Sequence, residues 1–155
     1  MSRRQIDEPF IMIRRSMLES PAYRVLSVMA RRVLNAIEIE HLKHGGKENG
    51  KLIVPYKTLK THCCAANHRV LAQAIRELEA LGFIIVMRGH AGNGVERAPN
   101  LFGLTYVPGH NGGQPSDDWK EFKTLEEAQA RLVEAKKKRP QSNWFKAARS
   151  AQAIQ

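Results

Sequence analysis

An α+β fold is predicted by two patterns in the chain, and a third observation predicts what the fold meets. Apolar residues recur at helical spacing in two stretches, Val25–Ile37 and Val70–Leu81. Two short apolar runs, Phe83–Met87 and Leu101–Val107, flank a segment marked by Gly89, Gly92, Gly94 and Pro99, which reads as a hairpin. The third observation is charge: 25 Lys and Arg against 15 Asp and Glu, a net of +10. Such an excess implies a polyanionic partner, with nucleic acid ahead of an acidic membrane surface. The plainer alternative is a basic solvated surface with no partner.

The elements follow in order. Residues 1–19 form an N-terminal arm whose Phe10, Ile11, Met12 and Ile13 are expected to pack on the domain. Ser20-Pro21 reads as a helix start, with Ser as N-cap and Pro at the first helical position. Val25, Leu26, Met29, Val33, Ala36 and Ile37 continue that helix to about His44, where Gly45-Gly46 stops it. The result exceeds the usual globular helix, and the excess is either a homodimer surface, for which the C-terminal helix is the alternative, or only a long first helix. After a turn-rich connector, Lys51–Val54 is a short strand ended by Pro55. A short helix covers Tyr56 to His62. The next begins at Asn67, a good N-cap, and buries Val70, Leu71, Ala74, Ile75, Leu78 and Leu81 until Gly82. The hairpin strands come next. A linker spans 108–116. A C-terminal helical segment lies within 117–139, opened by the capping box Thr124-x-x-Glu127, with Leu125, Ala128, Leu132 and Val133 inward and Trp119 and Phe122 as packing residues. A basic tail, 140–155, closes the chain.

Several classes of function find no support in these residues. No run of 18 apolar residues exists, so no spanning helix is expected, and the N-terminus has no apolar stretch long enough for a signal peptide. The two cysteines, Cys63 and Cys64, are neighbours, which disfavours a structural disulfide and suits a reducing cytoplasm. With His62 and His68 they form the one cluster of soft ligands, but adjacent cysteines suit a tetrahedral metal poorly, so no metal and no cofactor are expected. RGHAGNG lacks the Lys-Ser/Thr of a phosphate loop, and no carboxylates converge, so catalysis is not expected.

The order from Lys51 to Val107 is that of a winged helix-turn-helix: a three-helix core with a small antiparallel β-wing, here with a C-terminal helix and a basic tail added. With Leu71 on the buried line and about 100° per residue, Arg69, Gln73 and Arg76 fall on the opposite face, among Ala65, Ala66 and Ala72. Major-groove readout needs such a face: Arg forks to guanine, Gln or Asn to adenine, and small residues admit close approach. Asn67 and His68 then touch phosphate or base from the first turn. Tyr56, Lys57, Thr58 and Lys60 at the start of the preceding helix suit phosphate. Arg88, His90, Asn93 and Arg97 in the hairpin suit a narrow minor groove, although hairpins need glycine in any case. After Glu134 there are six basic residues and no acid. Lys136, Lys137, Lys138 and Arg139 read either as a second phosphate-binding arm or as a solvated helix end.

The span from Ser20 to Tyr106 resembles winged-helix DNA-binding proteins of bacterial chromosomes, prophages and plasmids. The residues that carry the resemblance are KLIVPYKTL, NHRVLAQAIRELEALGFI and RAPNLFGLTY, with AIRELEALGFI the most specific. By that resemblance Asn67 to Arg76 is the recognition helix and Arg88 to Arg97 the wing. One departure stands at the turn, where Cys63-Cys64 replaces a commonly found glycine. The expectation is a cytoplasmic, nucleoid-associated, non-catalytic protein that binds double-stranded DNA, first of all a transcriptional regulator. A replication-initiator or recombination accessory role on a mobile element is the alternative. A winged-helix protein-interaction module is the second, since fold alone does not settle function.

Overall fold

Residues 6–89 and 98–137 are described by the computed structural model of the chain. Six α-helices and a two-stranded antiparallel sheet make an α+β fold. Two short helices, α1 (Arg15–Leu18) and α2 (Pro21–Arg24), precede α3 (Val28–Lys43). α4 (Tyr56–Cys63) and α5 (His68–Ala80) follow, then β1 (Ile84–Met87) and β2 (Leu101–Leu104). A 3-10 turn (Asp118–Glu121) and α6 (Leu125–Lys137) complete the described chain.

The single long first helix of the sequence reading is two helices. Ser20 caps α2 as expected, its hydroxyl accepting from the Tyr23 N–H. The helix then stops at Val25 because Ser27 is extended (φ −65°, ψ 159°) and caps α3 through the Ala30 N–H. The same hydroxyl donates to the buried carboxylate of Glu77 on α5, a bond that rewards the break. Of the four apolar residues expected to pack, Ile11 does so, while Phe10, Met12 and Ile13 are exposed; the arm is instead held by Met17, which is buried in the core.

α3, α4 and α5 enclose one core with the sheet. Val33 and Ile37 of α3, Leu59 of α4, Leu71 and Leu78 of α5, and Ile84, Phe102 and Leu104 of the strands are all buried. Register pairs Ile84 with Leu104 and Val86 with Phe102, which turns Ile85 and Met87 to the outside. The expected strand at Lys51–Val54 shrinks to one antiparallel bridge, Leu52 to Phe102, bonded in both directions. Pro55, the N-cap of α4, ends it. Gly89 lies at the root of the hairpin, where a Cβ would stand 1.8 Å from the Ala98 carbonyl oxygen, so only glycine lets the two legs pass.

α4 ends in a Schellman closure, with the Ala65 N–H bonded to the Lys60 carbonyl and the Cys64 N–H to that of Thr61. Cys64 is the left-handed residue of that closure (φ +51°) and is exposed, whereas Cys63 is buried. A left-handed L-residue costs ~1–2 kcal/mol, part of which glycine regains and part of which its extra unfolded-state freedom offsets. Cys64→Gly is therefore expected to stabilise the chain by up to ~1 kcal/mol in thermal denaturation; a fall in Tm would contradict the strain assignment.

The C-terminal segment forms a second layer on the far side of α5, packed against α2 and α5. Trp119 and Phe122 are buried as the sequence predicts. Thr124 accepts from the Glu127 N–H (3.2 Å), and Glu127 reaches back to the Lys123 N–H (2.8 Å), one residue earlier than in the usual capping box. On α6 the inward residues are Ala128, Leu132 and Ala135, with Leu125 half-buried; Val133, expected inward, is exposed.

Asp117 fastens the two layers' ends. Its carboxylate accepts from Arg14 and from the Trp119 indole (3.3 Å) and pairs with Lys120 (3.2 Å), while Arg14 stacks over Trp119. Burial pulls this carboxyl upward, but the bonds from Arg14 and Lys120 outweigh it and hold it below the ordinary value of 3.8. A depressed carboxyl stabilises above its unfolded pKa, and the benefit is lost as pH falls through the native value. The Tm difference between wild type and Asp117→Asn is thus expected to be full at neutral pH and to close below about pH 3.8. A difference independent of pH would refute the pairing.

Candidate nucleic-acid interface

The expected site divides into an open part and a covered part. The first turn of α5 is open. Asn67 is its N-cap, Oδ1 accepting from the N–H groups of Arg69 (3.0 Å) and Val70 (3.2 Å). That carbonyl oxygen is thereby committed to the helix, which leaves the amide NH2 outward. His68 and Arg69 are exposed. Tyr56, at the first position of α4, meets His68 edge to face with ring centroids 5.1 Å apart, so the starts of the two helices form one surface. Lys57, Thr58 and Lys60 are exposed on the same helix. Arg32 of α3 reaches the end of α4 and donates to the Cys63 carbonyl (3.2 Å), a cation beside the turn that sequence spacing did not single out.

The later turns of α5 are covered. Gln73 and Arg76 are half-buried, and Arg76 Nη2 donates to Gln73 Oε1 (2.8 Å). Gln73 Nε2 and Arg76 Nε are buried with no hydrogen-bond partner among the described residues. What covers them is α6. It starts near the C-terminal end of α5, where Gly82 abuts Asp118 and Trp119, and runs back along it. Arg131, Glu134 and Ala135 share a cleft of about 310 Å³ with Arg76, Glu79, Ala80 and Arg88. Lys136, further on, lines a groove with Arg69 and Gln73. The outward face that helical geometry draws through Arg69, Gln73 and Arg76 is correctly drawn as a direction, and α6 occupies two of its three residues.

The hairpin residue Arg88 is also engaged, its guanidinium forked onto Glu79 at 3.0 and 2.8 Å. The hydrogen bonds to Glu79 raise its pKa, so the cation is permanent but paired within the chain. His90, Asn93 and Arg97 lie outside the described residues, as do Lys138 and Arg139. Lys136 and Lys137 are described and exposed at the end of α6. The docking of α6 thus brings one of the expected tail cations, Lys136, to the expected recognition helix, a juxtaposition no local signal announces.

The cysteine thiol of Cys63 is pushed up by burial, away from the reactive thiolate. His41 and Tyr106, which are also shifted, sit in the core; burial lowers the first, and burial with the neighbouring Glu38 raises the second. Among the described residues no group of three or more His, Cys, Asp or Glu is placed to hold a metal, and no helix is long and apolar enough to cross a membrane. Comparison with protein families, with curated proteins and with solved structures finds no match to this chain.

Proposed function

We propose that this chain is a winged helix-turn-helix protein that binds duplex DNA without catalysis and acts as a sequence-specific transcriptional regulator. The observation that carries the reading is the surface formed by the starts of α4 and α5 with the end of α6. There Lys57, Lys60, Arg69, Lys136 and Lys137 are all exposed, and no acidic residue lies in either first turn. The element order supports it: helix, bridge at Leu52, helix, turn, helix, strand, hairpin, strand. In that reading α5 is the recognition helix and Arg69 its accessible base reader. Lys57, Lys60, Lys136 and Lys137 supply sequence-independent attraction to phosphate.

Selection of bound duplexes from a random pool at near-physiological salt, followed by footprinting, tests this. A palindromic winner with half-sites about one helical turn apart is expected for a dimeric regulator. Direct repeats would move the role to replication or recombination, and no enrichment at all would move it away from sequence-specific binding. On the selected site, Arg69→Ala is expected to lose about 1–3 kcal/mol of discrimination at one base position. Lys137→Ala is expected to weaken all duplexes alike and to lower the salt slope by about 1. If Arg69→Ala leaves affinity and choice unchanged, α5 does not read bases.

A further inference from the structure

We infer that α6 is a displaceable cover: duplex DNA and α6 compete for the same face of α5, and release of α6 turns Gln73 and Arg76 from half-buried residues into DNA contacts. The inference rests on the duplex-binding reading above.

The chemistry of the covered face is the first argument. α5 gives its apolar stripe, Leu71, Ala74, Ile75 and Leu78, to the core. What it offers α6 is mixed: Gln73, Arg76 and Glu79 are polar, while Ala80 and, in the groove shared with Lys136, Val70 and Ala74 are not. α6 buries Ala128, Leu132 and Ala135, and the polar side chains it brings to the same clefts, Arg131, Glu134 and Lys136, make no hydrogen bond to Gln73 or Arg76 among the described residues. Gln73 and Arg76 turn to one another, and a donor on each stays buried without a partner among the described residues. Unpaired buried donors weaken an interface, and the same two donor types are what base edges and phosphates accept.

The second argument is where α6 is held. Its beginning is anchored by buried Trp119 and Phe122, by Asp117 with Arg14 and Lys120, and by the capping of Thr124. Its far end carries exposed Lys136 and Lys137 and shares a groove with Arg69, so like charges gather where, among the described residues, burial of Ala135 is the hold and no side-chain hydrogen bond or ion pair is made. A helix fixed at its start and repelled at its end opens by swinging from its start. Phosphates and base edges reach Gln73 and Arg76 only when α6 has left, and that difference in contact favours the open form.

The test uses the full chain with Leu132→Asp, which sets a carboxylate into the α5–α6 contact, and Leu132→Ala, a milder truncation that serves if the first does not fold. Two quantities are read: hydrogen exchange of the α6 amides with and without a mixed-sequence duplex at low salt, and duplex affinity. In wild type the α6 amides are expected to exchange faster when duplex is bound, while those of α5 slow. Either variant is expected to bind about tenfold tighter, the gain when an open form about one-tenth populated becomes dominant. α6 amides that stay protected in the wild-type complex would overturn the inference. So would a variant whose α6 exchanges freely but whose affinity is unchanged or lower, since α6 would then be a fixed part of the surface. If wild type and both variants bind no duplex, the duplex reading itself fails and the cover falls with it, a result distinct from either of the others.

Discussion

Asn49→Ala is expected to remove about 3–5 kcal/mol of stability, a large part of the ~5–15 kcal/mol that holds a domain together. Asn49 is 3% exposed and lies in the connector between α3 and the Leu52 bridge. Its Nδ2 donates to the carbonyls of Leu104 (2.9 Å), Pro108 (3.1 Å) and Val107 (3.2 Å), and its Oδ1 accepts from the Leu104 N–H (2.7 Å). One side chain therefore satisfies the end of β2 and the bend that follows it. Alanine leaves a buried N–H and two buried carbonyls, those of Leu104 and Val107, without that partner, and each such group costs ~1–3 kcal/mol unless water replaces the amide. For a chain of this size Tm is expected to fall by about 10 °C. Urea denaturation checks the value, and a loss below ~1 kcal/mol would mean that solvent enters the site. Asn49→Asp separates the two halves of the interaction. It keeps an acceptor for the Leu104 N–H but sets a carboxylate against three carbonyls, so it is expected to cost at least as much near neutral pH.

Nothing local marks Asn49, which reads as one polar residue of a turn-rich connector, and the contrast with the helix starts shows where sequence reading works. Ser20, Asn67 and Thr124 act on N–H groups two or three residues away, so their signal and their effect lie in the same few residues. The buried stripe of α5 is legible for the same reason: a helix imposes its period wherever a core face exists. The break at Val25–Ser27 hides because apolar spacing continues across it, and its cause, the Ser27–Glu77 bond, joins residues far apart in sequence. Leu52 looks like part of a strand because β propensity is local, whereas the number of ladder bonds depends on how much of β2 it meets. The candidate site divides along the same line. The outward direction of Asn67, His68 and Arg69 follows from the helix alone. Whether Gln73 and Arg76 are open depends on a helix that returns from the C-terminal segment, and a wheel drawn on α5 says nothing about what lies across from it. The one usable hint was the apolar stripe of α6, which needed a partner; once the core side of α5 is filled by α3 and the sheet, the outward side is where a partner remains.

The residue that places α6 there is Gly82, and Gly82→Ala is expected to undock the C-terminal segment. Gly82 has φ +77°, and a Cβ on it would lie 2.6 Å from the Asp118 carbonyl carbon and 2.7 Å from the Trp119 nitrogen. Both are backbone atoms, so no rotamer change relieves the overlap. The left-handed conformation alone costs ~1–2 kcal/mol for alanine. Relief of the overlap requires Asp118 and Trp119 to move away, which withdraws Trp119 from the core and breaks the cluster of Asp117, Arg14 and Lys120. The expected outcome is a loss of about 3 kcal/mol or more, with an uneven distribution that tells it from a general loosening. Amides of α6 lose protection from exchange, while those of α3 and α5 keep most of theirs, because most of the core lies between α3, α4, α5 and the sheet, and the C-terminal segment adds Trp119, Phe122, Ala128 and Leu132 to it. Uniform loss of protection would instead mean that the two layers fold as one cooperative unit and that α6 cannot leave α5 without unfolding it. That result would bear directly on the proposed DNA binding. A cover can be displaced only if what it covers survives its departure, so the exchange pattern of Gly82→Ala decides whether Gln73 and Arg76 can ever be presented on a folded α5.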